Sequence, residues 1–137
     1  MSKKKNPYKR CKYLDDLNIP ITEYGTNFIN CYKDKRGRKW RRQRTKYGFD
    51  ERETWNLDSQ FIEWIYTRFK MYKEVACVDL TFHKFKYLGK EITQSEAIDI
   101  ILQACEDYIK QGDTGFKTFP SPIIGDLLFK IMPAMWW

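Results

Sequence analysis

The chain of 137 residues carries 25 Lys and Arg against 18 Asp and Glu, a formal net charge of +7, with 42% apolar residues and 17% aromatics. That is the size of one domain and enough apolar material for a single core. No run approaches the ~20 apolar residues that span a bilayer, and no apolar stretch follows the N-terminal lysines, so composition excludes a membrane-spanning helix and predicts a soluble, unsecreted, cytoplasmic protein.

Charge is unevenly placed. Residues 1–46 hold 15 basic and 4 acidic residues, net +11, whereas residues 47–137 hold 10 and 14, net −4. Such asymmetry points to an anionic partner for the front third. Residues 1–12, with Lys3, Lys4 and Lys5, have too little apolar content to offset the entropy of ordering them, and read as a basic disordered tail able to reach a phosphate backbone. Residues 13–137 read as one globular domain. Its first turn is packed by Leu14, Leu17 and Ile19 and ended by Pro20.

Between Tyr24 and Tyr47, two mixed runs flank Asp34-Lys35-Arg36-Gly37, where Gly37 can close a turn. The simplest folding of this 13–46 arm is a basic β-hairpin, Thr26–Lys33 against Arg38–Thr45. Neither face of the second strand is apolar, so it would be an edge or an exposed ribbon. A basic helix is the alternative, because Arg, Lys and Gln are good helix formers.

Gly48 then interrupts the chain, and Asp50 with Glu53 has the form of an N-cap and its reciprocal carboxylate. A helix over 50–73 follows, with Trp55, Ile62, Ile65, Phe69 and Tyr72 at three- and four-residue steps. Asp58 falls on the same inward stripe. A carboxylate there needs a donor, and Arg42 or Arg44 of the preceding basic segment is expected to supply it, making Trp55 and Asp58 a structural anchor.

Phe85 alternates with Tyr87 as in a half-buried strand closed by Gly89. Thr93 and Glu96 form a capping box ahead of a helix over 94–111, whose face is Ala97, Ile98, Ile101, Leu102, Cys105, Tyr108 and Ile109. Ser121 and Pro122 open a short helix over 122–131. The apolar end, Ala134-Met135-Trp136-Trp137, either packs back on the core or makes a homo-oligomer contact. The expected class is α+β: mainly helical, with a long central helix, a second helix and the N-terminal hairpin.

The densest chemical signal is Arg36, Arg38, Lys39, Trp40, Arg41, Arg42, Arg44 and Lys46. Guanidinium groups pair bidentately with phosphate, and the interleaved Trp40 ring can stack on a base. The competing reading is a solvated basic edge that blocks sheet aggregation. Against it stands density, since nine basic residues and one acid lie between Lys33 and Lys46.

Other chemistry is sparse. Cys11, Cys31, Cys77 and Cys105 lie 20, 46 and 28 positions apart, with no zinc-type or redox pairing, and the reading is four reduced thiols. No metal site is expected: Asp50, Glu51 and Glu53 are explained by starting a helix, and His83 is the sole histidine. No nucleophile elbow, phosphate loop or dinucleotide motif is present, so no catalytic residue and no cofactor are predicted and a non-enzymatic protein is favoured.

Tyr47-Gly48-Phe49, then Glu53-Thr54-Trp55-Asn56-Leu57-Asp58, then Phe69-Lys70-Met71-Tyr72-Lys73-Glu74 resemble a group of small proteins encoded by tailed bacteriophages and prophages. In that group a Gly-aromatic pair precedes an acidic position and Trp-x-Leu-Asp. The resemblance covers residues 47–74, with a looser echo at 82–98, and excludes the basic segment. It implies phage origin and life in a host cytoplasm, and transfers no catalytic residue.

Three functions are compatible with these features. The first is a phage accessory protein that binds nucleic acid through the Arg/Trp surface. The second captures a phosphate-bearing nucleotide signal of host defence on the same surface, and the third inhibits a host protein through that protein's acidic face. Nucleic acid leads, because the charge is spread over a long segment rather than focused in one motif.

Overall fold

The computed structural model describes residues 11–17, 35–55, 57–111 and 118–136. These are mainly helical with one small antiparallel sheet, the α+β class expected. The chain divides into two compact units, residues 1–64 and 65–137. Residues 1–10 of the expected basic tail and residues 26–33 of the expected hairpin lie outside the described residues, and Lys12, the last residue given to the tail, opens α1 (Lys12–Asp15).

In the first unit, α1 (Lys12–Asp15) buries Tyr13 and Leu14; of the residues expected to pack that turn, Leu14 is buried, Leu17 is half-buried and Ile19 lies outside the described residues. The second half of the expected hairpin is not a strand. Residues 38–45 lie inside α2 (Lys35–Tyr47), and Gly37 sits in that helix's first turn. Two features explain the difference. Arg, Lys and Gln favour helix, and helical spacing gathers Trp40, Gln43 and Arg44 on one side, where all three bond to the chain just beyond the helix.

That following chain also departs from expectation. Asp50 caps a 3-10 turn, Glu51–Thr54, and not the long helix. Its Oδ1 accepts from the Arg52 backbone N–H at 3.0 Å. Trp55 is extended (φ −81°, ψ 131°), and α3 begins at Leu57 and runs to Val75. The buried stripe of α3 is Ile62, Ile65, Tyr66 and Phe69. Trp55 is exposed because it precedes the helix. Asp58 is exposed as well. It lies in the first turn of α3, where a carboxylate complements the helix dipole without being buried.

In the second unit, β1 (Lys84–Tyr87) pairs with β2 (Lys90–Thr93), Phe85 opposite Ile92 and Tyr87 opposite Lys90. Leu88 (φ 50°) and Gly89 (φ 75°) make the two-residue turn, the double positive φ that matches strand twist in a tight hairpin. The sheet is thus at residues 84–93 rather than in the basic arm. Thr93 ends β2 and caps α4 (Gln94–Lys110): its Oγ1 accepts from Glu96 N–H at 3.2 Å while Glu96 Oε1 accepts from Thr93 N–H at 3.4 Å. The predicted face of α4 is buried throughout. Against it packs α5 (Pro122–Ile131), through Leu127, Leu128 and Ile131, with Pro122 in its first turn.

The C-terminal segment is tied down by its backbone. The Ala134 carbonyl accepts from Gln94 Nε2 at 3.2 Å and the Trp136 carbonyl from the Tyr72 hydroxyl at 2.9 Å. The Trp136 ring is exposed. No helix among the described residues is long and apolar enough to cross a membrane.

Candidate functional site

The first unit sorts the basic segment into two faces. Trp40, which the sequence offered as a base-stacking ring, is 2% exposed. Its indole N–H donates to Glu51 Oε1 at 3.0 Å, and the Trp55 ring meets it edge-on at 6.2 Å. The Arg52 guanidinium lies over it, 4.3 Å from the ring centroid. Both faces of the reading follow from burial: Trp40 is core, and a ring enclosed in this way has no surface left for a base.

Asp50 holds the same face. It is 1% exposed and accepts from Arg44 Nε at 2.6 Å, from Arg52 Nε at 2.9 Å and from a terminal Arg52 nitrogen at 2.8 Å. Burial pushes the Asp50 carboxyl up, but the hydrogen bonds from Arg52 and Arg44 and the Arg52 charge outweigh it and hold the group below its ordinary range. Arg52 is itself 1% exposed, so the ion pair satisfies a buried charge at each end. Arg44, one of the two donors expected for Asp58, pairs with Asp50, eight positions before Asp58, and Asp50 with Trp40 and Arg52 holds the basic helix to the following turn.

Glu51 completes the clamp. Its backbone N–H donates to Gln43 Oε1 at 2.9 Å and its Oε2 pairs with Lys39 Nζ at 3.1 Å. The hydrogen bond from Lys39 leads in holding the Glu51 carboxyl low, with burial opposing and Trp40 adding to it. Lys39 and Arg44 are thus neutralised in place. Arg36 is exposed, 6.0 Å from the centroid of the Trp40 ring.

The other face of α2 carries Arg38, Arg41, Arg42, Thr45 and Lys46, all exposed. Positions 38, 41, 42, 45 and 46 recur at three- and four-residue steps, so they form one ridge. Among the described residues Arg38, Arg41 and Arg42 make no ion pair. Lys46 Nζ lies 5.1 Å from the centroid of the Tyr47 ring. Beyond it Tyr47 and Phe49, 59% and 46% exposed, form a tilted pair with centroids 6.4 Å apart, joined by Gly48 at φ 84°. The exposed aromatics are therefore at the end of the basic helix and not within it. The signal that could have located them is Gly48 itself, the residue that marks the end of the helix between the two rings.

Residues with catalytic potential are elsewhere. His83 is exposed in the second unit, its ring edge-on to Phe82 at 5.2 Å. Cys77 is exposed, Cys11 is half-buried, and burial pushes the Cys105 thiol up to about 12; Cys31 lies outside the described residues. Among the described residues no three His, Cys, Asp or Glu side chains gather as a metal site would require. Comparison with family models, with curated proteins and with solved structures returned no match.

Proposed function

We propose that this protein binds single-stranded nucleic acid without chemistry on it, laying the phosphate backbone along the outer ridge of α2 and stacking a base on the Tyr47–Phe49 pair. The observation that carries this reading is the division of α2 into an inner face, consumed by Asp50 and Glu51, and an outer face of exposed cations. Pinning the inner face fixes the spacing of Arg38, Arg41, Arg42 and Lys46 before any ligand arrives, which lowers the entropy lost on binding. Cations beside exposed rings are the combination that holds single strands with little sequence preference. The resemblance to phage proteins fits an accessory role of this kind.

The test is fluorescence anisotropy of a labelled single-stranded oligonucleotide across a salt series. Affinity should fall steeply with salt, because each neutralised phosphate releases counterions. Arg41→Ala with Arg42→Ala should flatten that dependence by about 1.4 in log–log slope, at ~0.7 per phosphate contact on a single strand. Tyr47→Ala should weaken binding without changing the slope. Salt-independent binding, or a double variant indistinguishable from the parent, would overturn the proposal.

A further inference from the structure

The second unit holds a cavity of about 310 Å³ lined by Val78, Asp79, Phe82, His83, Gln94 and Trp136, among others. Its walls are built by three tethers. The backbone N–H groups of Gln94 and Ser95 donate to the carbonyls of His83 (3.1 Å) and Leu80 (2.9 Å), holding the 79–83 loop to the start of α4. The Asp79 carboxylate accepts from the N–H and hydroxyl of Thr81, at 2.9 and 2.6 Å, and closes the loop on itself. On the other side, Gln94 Nε2 and the Tyr72 hydroxyl hold the carbonyls of Ala134 and Trp136.

Gln94 is the informative residue. It is 0% exposed, and its Nε2 is committed to the Ala134 carbonyl, which fixes the orientation of the amide. Its Oε1 is buried with no hydrogen-bond partner. A buried acceptor left unpaired costs free energy, and the residue that carries this one is part of the lining of a cavity bordered by Phe82 and Trp136, residues 75% and 69% exposed. Two uncovered aromatic rings and one orphaned acceptor specify complementary chemistry: a flat apolar face and an N–H donor on its edge. The volume lies at the small end of the ~300–1,000 Å³ typical of ligand sites, which suits one mono- or bicyclic ring system.

We propose that this cavity binds a planar nitrogen heterocycle of the nucleobase type, its ring against Phe82 and Trp136 and its exocyclic N–H donating to Gln94 Oε1. The site is independent of the α2 ridge: it lies in the other unit and uses no residue of the basic helix. His83 at the lining adds a ring nitrogen for a second polar contact.

The probes are 9-methyladenine, which carries an exocyclic N–H, and its N,N-dimethylated analogue, which carries none. Both are titrated into the full chain while the Trp136 indole and Gln94 side-chain amide signals are followed by NMR. The amino compound should shift both signals and bind at least about tenfold more tightly than the dimethylated one, the discrimination expected when a buried acceptor is otherwise left unpaired. Gln94→Met should erase that preference, and Phe82→Ala, at an exposed position that folding does not depend on, should weaken both ligands. Arg41→Ala with Arg42→Ala should leave the titration unchanged, which separates this site from the nucleic-acid ridge. Equal affinity for the two probes, shifts that bypass Trp136 and Gln94, or no shift up to the solubility limit would overturn the proposal, the last meaning that water alone satisfies Gln94.

Discussion

Replacing Asp50 with Asn tests the clamp that orients the basic helix. The substitution keeps the size of the side chain and one acceptor for the Arg52 backbone N–H, and removes the charge that pairs with Arg44 and Arg52. Breaking a buried ion pair from one side costs roughly 3–5 kcal/mol, because the other charge is left uncompensated. The Arg52 side chain is 2% exposed and cannot turn to water, whereas that of Arg44 is 29% exposed and can. The expected loss is therefore at the lower end, about 3 kcal/mol, read by urea unfolding followed through tryptophan emission and far-UV circular dichroism. Adding Arg52→Met removes the stranded charge, so the double variant should be more stable than Asp50→Asn alone. The pH dependence has a definite sign. Since the folded Asp50 carboxyl sits below its unfolded value of 3.8, its contribution is complete above pH ~4 and is lost as pH falls through the folded value. The stability gap between the parent and Asp50→Asn should narrow on acidification. A loss under about 1 kcal/mol, the range of exposed pairs, or a gap that widens in acid, would refute the assignment of Asp50 as the anchor.

Other expectations follow from single contacts. Trp40→Phe removes the hydrogen bond to the Glu51 carboxylate and should cost about 2 kcal/mol, while leaving oligonucleotide affinity within twofold where the variant is folded; a large loss of affinity at unchanged stability would put Trp40 back among the ligand contacts. Thr93→Ala removes the hydroxyl that accepts from Glu96 N–H and donates to Glu96 Oε1, while the backbone N–H of residue 93 keeps its bond to Glu96, and should destabilise by about 1 kcal/mol, with Thr93→Ser restoring most of it in thermal unfolding. In the native protein, iodoacetamide should modify Cys77, which is exposed, well before Cys105, whose thiol is buried and pushed up to about 12. Mass spectrometry showing Cys105 modified at the rate of Cys77 without denaturant would contradict its place in the core.

The elements that could be read from the sequence are those whose evidence is local. Thr93 and Glu96 announce α4 through residue types that must bond reciprocally, and its apolar positions repeat at helical steps without interruption. Ser121 and Pro122 mark α5 for a similar reason, although among the described residues the Ser121 side chain makes no cap bond. The α2 segment is ambiguous because its pattern satisfies two periods. Trp40, Arg42 and Arg44 alternate as in a strand, whereas Trp40, Gln43, Arg44 and Tyr47 share a helical face. What decides between them is Asp50 and Glu51, which lie outside the segment and bond to the helical arrangement alone. The same non-locality hid the pairing of Arg44 with Asp50. Asp58 looks inward only if one helix runs unbroken from Asp50, and the chain instead leaves helical geometry at Trp55.

Under the proposed nucleic-acid binding, the sorting of charge by α2 also sets how many phosphates the ridge would hold. Read along the sequence, Arg36, Arg38, Lys39, Arg41, Arg42, Arg44 and Lys46 are seven equivalent cations, which at ~0.7 per contact on a single strand would give a log–log salt slope near −5. In the folded chain Arg44 belongs to Asp50 and Lys39 to Glu51, and Arg36, four positions before Trp40, lies on the inner side of the helix with it. Four cations, Arg38, Arg41, Arg42 and Lys46, remain on the outer face, for a slope of about −3. A measured slope near −5 would mean that binding draws on charge beyond that face, either by opening the Asp50–Glu51 clamp or through the lysines at the N-terminus. Replacing Lys3, Lys4 and Lys5 with Ala distinguishes the two, since it flattens the slope only if the N-terminal lysines supply the further contacts.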